Sequence, residues 1–487
     1  MKKAFKIIYA ALFFGVCAAP LIAMPFAASN EQIEKRELAA KPKIIEDGKL
    51  NTDFSTQAEA WYNDRLPFRA KVLEGASLIK SEVFGAPVAN VITGSDGWLF
   101  FEGSAADYMN TNALSDYRIE ATAVTLELME ENVKGKGGKF LFVPMPNKAE
   151  VYDEHMPAYY IKAEENNYSR LLDKLKEHNV SVLDMKQVMR DNKEAGIYHK
   201  RDTHWNYLGA LIGYNAIMDS LSHPHKTYDS ASYNITNDWQ GDLEKLLYPN
   251  DAGYDEQYRF DIEYEEFRFT MPPTAKDTKE SLALFMSDKE ENDMRIATRK
   301  ATPTGAGSLY MARDSFGRAL LPFMIDNYDT ALFERRAAPN LNSVPQGGDM
   351  IFEIVERNLA NITIMAPNMP APQREITDYT GDYTAEGNKA FIKEESGGVQ
   401  VYGTLDENFI SDDARVYIQL TGNGRELTYE AFPIAEKELL EKEGESAEYG
   451  FSAHIKTGEL PEGEYEIHII SNKMKSVSLE TLKIKGD

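Results

Sequence analysis

The sequence predicts an α/β domain followed by a separate all-β module, and three observations lead to that reading. From Trp61 to about residue 370, short apolar runs alternate with stretches of helical period. Beyond the proline-bearing stretch Asn368-Met369-Pro370-Ala371-Pro372-Gln373 the runs become short and alternating, as half-buried strands do. The chain has 487 residues, 43% hydrophobic and 27% charged. That suffices for two or three domains with sizeable cores and excludes disordered, collagenous, coiled-coil and polytopic membrane classes.

At the N-terminus, Lys2, Lys3 and Lys6 lead into the uncharged run Ile7 to Phe26, long enough to span a bilayer as a helix. Residues 1–29 therefore read as a signal anchor or signal peptide, with a cytoplasmic start and an exported remainder. Pro25-Phe26-Ala27-Ala28 lacks a small-x-small cleavage pattern, which favours an uncleaved anchor. Cys17 follows a poor lipobox and reads as a small apolar residue inside that helix. Residues 30–59 are charged and form a stalk.

The α/β domain occupies residues 60–370. Lys139 to Pro146 reads as a buried strand, Tyr168 to His178 as an amphipathic helix and Val180 to Met185 as a further strand. Thr227 to Thr236 is turn-rich, and Ser308 to Phe316 is a strand running into a helix from Gly317 to Tyr328. Asp349 to Leu359 and Ile362 to Pro367 continue the alternation. Such alternation implies a mostly parallel sheet with helices over both faces, a three-layer α/β/α arrangement. Residues 378–487 supply the strands of a β-sandwich, with 23 acidic and 11 basic residues.

The chain carries 53 basic against 78 acidic residues, a net charge of -25, which argues against a nucleic-acid partner. A single cysteine excludes an internal disulfide, a CxxC redox pair and a cysteine-rich zinc site. No cofactor is indicated.

Two segments carry chemistry: Arg201-Asp202-Thr203-His204-Trp205-Asn206 and Ala312-Arg313-Asp314-Ser315-Phe316-Gly317. Acyl transfer by a hydroxyl needs a nucleophile, a base, a carboxylate to orient the base and N–H donors for the oxyanion. Ser315, His204 and Asp202 can fill the first three roles, and a serine at a strand-to-helix junction offers its own N–H as the first donor. Bland readings stay open here. Ser315 or Asp314 could simply cap the next helix. Asp202 and His204 could be a hydrogen-bonded surface pair or, with His199, metal ligands, although no further ligands stand at a persuasive spacing. His155, His178, His223, His225, His454 and His468 read as solvated or structural.

Gly94-Ser95-Asp96-Gly97-Trp98-Leu99-Phe100, Val143-Pro144 with Lys148 and Val151-Tyr152, Asp202-Thr203-His204-Trp205 and Asp314-Ser315-Phe316, with Asp64 to Arg69 upstream, resemble the SGNH-hydrolase-like proteins of bacterial exopolysaccharide O-acetylation. These are the AlgX and AlgJ relatives, close to the DHHW proteins of Gram-positive bacteria. The resemblance implies an SGNH-like α/β/α fold in which Asp202 orients His204 and Ser315 takes the acyl group. It implies an exported O-acetyltransferase of a cell-surface or secreted polysaccharide, at the extracytoplasmic face of the membrane, supplied by a membrane-bound O-acyltransferase partner. The same triad with water as acceptor gives a carbohydrate acetylesterase, and loss of turnover gives a scaffold or binding protein of exopolysaccharide assembly.

The chain departs from the family at Arg313, where the family has Gly; a cation there could bind an acidic sugar or narrow the pocket. Asp314 is expected to set the turn, and Trp205 to pack beneath His204 or line a sugar site. Asn147 is a candidate second oxyanion donor, and Trp98 reads as structural. An open strip formed by Tyr402, Tyr417, Tyr429, Tyr449 and Tyr465 would make the β module carbohydrate-binding.

Overall fold

The computed structural model describes residues 41–46, 49–51, 54–65, 89–228, 233–249, 251–262, 267–271, 294–377, 379, 382–384, 386–434, 436–445 and 449–484. The anchor or signal expected at 1–29, much of the stalk and Leu66 to Arg69 lie outside the described residues. Among the described residues no helix is long and apolar enough to cross a membrane.

The chain divides into two compact units. The first comprises Met1–Glu102, Lys200–Asp202 and Gln240–Asp255. It contains helix α1 (Phe54–Arg65) and an antiparallel hairpin, β1 (Val91–Thr93) with β2 (Leu99–Phe101). The Gly94 to Trp98 segment makes the turn of this hairpin, closed by Gly94 N–H donating to Trp98 O at 2.8 Å. Val91 and Leu99 bury against Leu243 and Leu247 of the helix Asp242–Leu247. Trp98 is buried as well, the structural role its motif suggested.

The second unit comprises Gly103–His199, Thr203–Trp239 and Glu256–Asp487. Helix α2 (Asp116–Gly135) starts at Ser115, whose hydroxyl accepts the Arg118 N–H, and leads into strand β3 (Phe140–Met145). Helix α3 (Asn167–Glu177) begins with a reciprocal cap between Asn166 and Ser169. After α4 (Tyr207–Ser220) come β4 (Phe267–Met271), β5 (Arg295–Lys300), β6 (Ser308–Arg313), β7 (Thr330–Arg335) and β8 (Asp349–Val355). The sheet order is β3-β8-β6-β7-β5-β4. Strands β3, β8, β6 and β7 are parallel, and β5 and β4 add antiparallel at one edge.

The sheet is thus mostly parallel, as expected, with two antiparallel strands added on one side. The two antiparallel strands escape sequence reading because Arg295-Ile296-Ala297-Thr298-Arg299-Lys300, which lies between β7 and the outer strand β4, is too charged to resemble a core strand. Alternate residues of the central strands, Phe140, Phe142, Tyr310, Ala312, Met350, Phe352 and Ile354, bury against α2 and α3. Helix α4 packs by β3, where Leu141 and Val143 point the other way. Two expected elements are shorter than their sequences suggested. Val180 to Met185 is no strand beyond a single bridge from Val182 to Phe142, because Asp184 caps the helix Met185–Asp191 by accepting the Gln187 N–H. The expected helix from Gly317 to Tyr328 is a 3-10 turn, Phe316–Leu320, followed by one α turn, Leu321–Met324, with Pro322 in its first positions.

The C-terminal residues form two sheets around one core. Strands β9 (Gln373–Arg374), β10 (Asp382–Tyr383), β11 (Lys389–Glu395), β12 (Gly398–Thr404), β13 (Val416–Gly422), β14 (Arg425–Ala431), β15 (Gly450–Lys456), β16 (Gly463–Ser471), β17 (Met474–Ser476) and β18 (Glu480–Ile484) follow in order. One sheet runs β9-β14-β13-β16-β17-β10, with β18 on β16, and the other β11-β12-β15. Val401, Ile418, Leu420, Phe451, Tyr465 and Ile467 fill the space they share.

The proline-bearing stretch before this module is packed, with Met369 1% exposed and Pro370 bridged to His454. Phe432 and Ile434 enter the α/β core itself. A chain of ion pairs also binds the module to α2: Glu127 to Arg415 at 2.5 Å, Arg415 to Glu430 at 2.5 Å, Glu430 to Arg374 at 2.7 Å, and Arg374 to Glu131. The tyrosines form no open strip. Tyr402, Tyr429 and Tyr465 are buried, and Tyr449 stands edge-on to Tyr117 of α2, so the module's carbohydrate-binding reading is not supported.

Candidate functional site

In parallel sheets the loops after the strands gather at one end, and side chains following β6, β7 and β8 do so here. They line a cavity of about 400 Å³ that includes Ser315 and Asp314 after β6, Arg336 after β7, and Arg357, Asn358 and Asn361 after β8.

The turn carrying Ser315 is held by Asp314. Its Oδ1 accepts the Phe316 N–H at 2.9 Å, and its Oδ2 accepts the Val355 N–H at 2.8 Å. Asp314 N–H in turn donates to Glu353 Oε2 at 3.1 Å. Asp314 therefore sets the turn, and Ser315 makes no side-chain cap bond. Among the described residues nothing accepts the Ser315 N–H, which stays available at the start of the 3-10 turn. Glu353 is fully buried, and desolvation first, then the nearby Asp314 charge, raises its pKa well above the usual carboxylate range.

The His204 segment is placed by its neighbours. Tyr198 and Trp205 form an antiparallel bridge, and Asn206 caps α4 by accepting the Gly209 N–H at 3.0 Å. The Trp205 ring lies against Gly213, where an added Cβ would stand 2.5 Å from Cζ3. Its Nε1–H donates to Phe316 O at 3.1 Å. These contacts bring His204 Nε2 to 2.9 Å from Ser315 Oγ, with both side chains partly exposed. The His204 ring also packs 4.8 Å from the Phe316 ring, centroid to centroid.

Asp202, in the first unit, is 3% exposed and accepts the Asp242 N–H on Oδ2 at 3.1 Å. One residue, Thr203, separates it from His204 in the chain.

Three further candidate residues are buried. Trp205, at 2% exposure, is packing and lines no sugar site. Arg313, at 1% exposure, is folded beneath the turn with its Nη1 donating to Asp314 O at 2.9 Å, and it lines the cavity beside Ser315. Asn147 is also buried; its Nδ2 donates to Asp107 at 3.2 Å and its Oδ1 accepts from Arg357 at 3.4 Å, so its amide serves Asp107 rather than an oxyanion. His199 stacks on Trp239 and faces Gln257, and His178 sits between Glu120 and Glu127.

Sequence reasoning missed Arg335, Arg336, Arg357 and Glu353. The arginines come together only through strand order. Glu353 did leave a signal, a lone carboxyl inside Met350-Ile351-Phe352-Glu353-Ile354-Val355.

Residues 91–292 match the family described as "SGNH hydrolase-like domain, acetyltransferase AlgX". The match includes Asp202 and His204 and ends before Ser315. Two curated relatives carry the name "Probable alginate O-acetylase AlgJ". That of Pseudomonas putida is 24% identical over 188 residues, 36% of this chain and 44% of the relative. That of Pseudomonas aeruginosa is 24% identical over 163 residues, 33% of this chain and 40% of the relative. The chain thus spans less than half the length of the curated relatives it matches. Similar solved structures include a DHHW family protein from Eubacterium siraeum, 16% identical with a TM-score of 0.42, covering 57% of this chain and 94% of that one. Bacillus cereus PatB1 is 17% identical with a TM-score of 0.43, covering 55% and 96%.

Proposed function

We propose that this chain, similar over residues 91–292 to the AlgX acetyltransferase family, is an O-acetyltransferase that acts on hydroxyls of a cell-surface or secreted polysaccharide. The observation that carries this reading is the 2.9 Å approach of His204 Nε2 to Ser315 Oγ at the rim of the cavity.

Neutral His204 takes the Ser315 proton as Oγ attacks the acetyl carbonyl. The Ser315 N–H supports the negative charge that develops on the carbonyl oxygen. Collapse of the tetrahedral intermediate leaves acetyl-Ser315 and passes the proton to the departing group. His204 then deprotonates a sugar hydroxyl, which attacks the acetyl-enzyme and frees Ser315. Asp202, beside His204 in sequence, fixes the imidazole tautomer and supports its positive form. Arg335, Arg336 and Arg357 concentrate positive potential around the cavity of a chain whose net charge is -25, which suits a negatively charged acceptor. The N-terminal apolar run anchors the chain at the extracytoplasmic face of the membrane, where a membrane-bound O-acyltransferase supplies the acetyl group.

The test is hydrolysis of a small activated acetyl ester by the full chain and by Ser315→Ala and His204→Ala, with mass spectrometry for acetyl-Ser315. Loss of roughly 100-fold or more in both variants is the expected result. Equal slow rates in all three proteins without acetyl-enzyme would remove the catalytic reading.

A further inference from the structure

Strand β8 is buried along its whole length, and Glu353 stands in its interior with no exposed surface. A carboxyl so placed is costly unless it is neutral or closely partnered. Its Oε2 accepts the Asp314 N–H at 3.1 Å. Among the described residues its Oε1 has no partner. A carboxyl with no exposed surface, one backbone N–H on one oxygen and nothing on the other is poorly placed to carry a charge beside a second carboxyl. The Asp314 oxygens already receive the Phe316 and Val355 N–H groups, which stabilise negative charge there. The proton therefore belongs on Glu353. Asp314 and Arg313 are the charged groups that face it, and Tyr198 is a further ionisable group in its electrostatic surroundings.

The fit beneath the turn is close. A Cβ at Gly317 would stand 2.5 Å from Glu353 Oε2 and 2.8 Å from Arg313 Cβ. Glu353 thus sits against the backbone that presents Ser315.

We infer that Glu353 and Asp314 are an acid–carboxylate pair holding one proton beneath Ser315, and that Glu353 is a positioning residue for the acyl transfer. It holds Asp314, and Asp314 holds the backbone that aims Ser315 Oγ at His204. The kinetic part of this inference rests on the proposed function; the protonation part does not.

The experiment compares the full-length wild type with Glu353→Gln and Glu353→Leu. A glutamine amide can accept the Asp314 N–H and donate to the Asp314 carboxylate, so Glu353→Gln keeps kcat within about 3-fold, whereas Glu353→Leu lowers kcat by roughly 100-fold with KM little changed. Infrared difference spectra at neutral pH show the carbonyl band of an un-ionised carboxylic acid in the wild type and its loss in Glu353→Gln. If Glu353→Gln is as impaired as Glu353→Leu, or Glu353→Leu keeps full activity, the positioning role is overturned. If no acid band disappears, the protonated pair is overturned. Should Glu353→Leu fail to fold, the activity of Glu353→Gln and the infrared band still decide. A wild type without esterase activity but with the acid band would fail the proposed function and leave the proton assignment standing.

Discussion

Trp205 Nε1–H donates to the Phe316 carbonyl at 3.1 Å, so the residue after His204 is fastened to the residue after Ser315. The two segments lie 111 positions apart, and this bond fixes their register beside the 2.9 Å approach of base to hydroxyl. Replacing Trp205 by Phe keeps an aromatic against Gly213 and removes the bond. Ester hydrolysis should fall roughly 10-fold in kcat, for a stability loss of about 1 kcal/mol on urea unfolding. Loss of stability without loss of kcat would make the bond purely structural.

Asp202→Asn retains size and removes charge. With the imidazole tautomer no longer enforced, kcat should drop by roughly 100-fold or more while acetyl-Ser315, once formed, persists longer. Rapid-quench mass spectrometry of the acetyl-enzyme measures both effects. An unchanged rate would release Asp202 from the reaction.

Gly317→Ala pushes a methyl group into the space between Glu353 and Arg313. Overpacking of this kind costs about 1–3 kcal/mol and should shift the turn enough to lower kcat. Thermal melts together with ester hydrolysis check the prediction; wild-type values in both would show that the turn can yield.

Glu356 follows β8 and accepts from Lys186 at 2.8 Å and from Asn166 at 2.9 Å, close to Glu150. Burial is the leading cause that pushes its pKa from 4.5 up to about 7. Because the folded state holds this proton more tightly, the stabilisation is complete below the unfolded pKa and is lost as pH rises through about 7. Melting temperature should therefore fall from about pH 5 to about pH 8, and Glu356→Gln should flatten that slope. Parallel slopes in the two proteins would assign the pH dependence to other groups.

The sequence made the α/β alternation legible because β3, β6 and β8 are apolar runs bounded by turns. It also marked Ser315, His204 and Asp202 as residue types able to cooperate. The arginines around the cavity were not legible, since Arg336 and Arg357 meet only because β7 and β8 flank β6. Asn147 misled, and Trp205 stayed open between packing and a sugar site, for a related reason: an aromatic or an amide near a reactive segment looks the same in sequence whether it faces a ligand or a neighbour. Val180 to Met185 shows local competition, in which a capping aspartate ended a run whose apolar pattern suited a strand.

Phe432 and Ile434 share a buried cluster with Phe140 and Phe352. A polypeptide is made from its N-terminus, so most of that cluster exists before the residues that close it. The half-made chain must carry an uncovered apolar face until the sequence near residue 434 arrives, a period of exposure to aggregation and to chaperones. A chain cut short before Phe432 would retain that face permanently, so the segment that carries Phe432 and Ile434 governs the solubility of the rest.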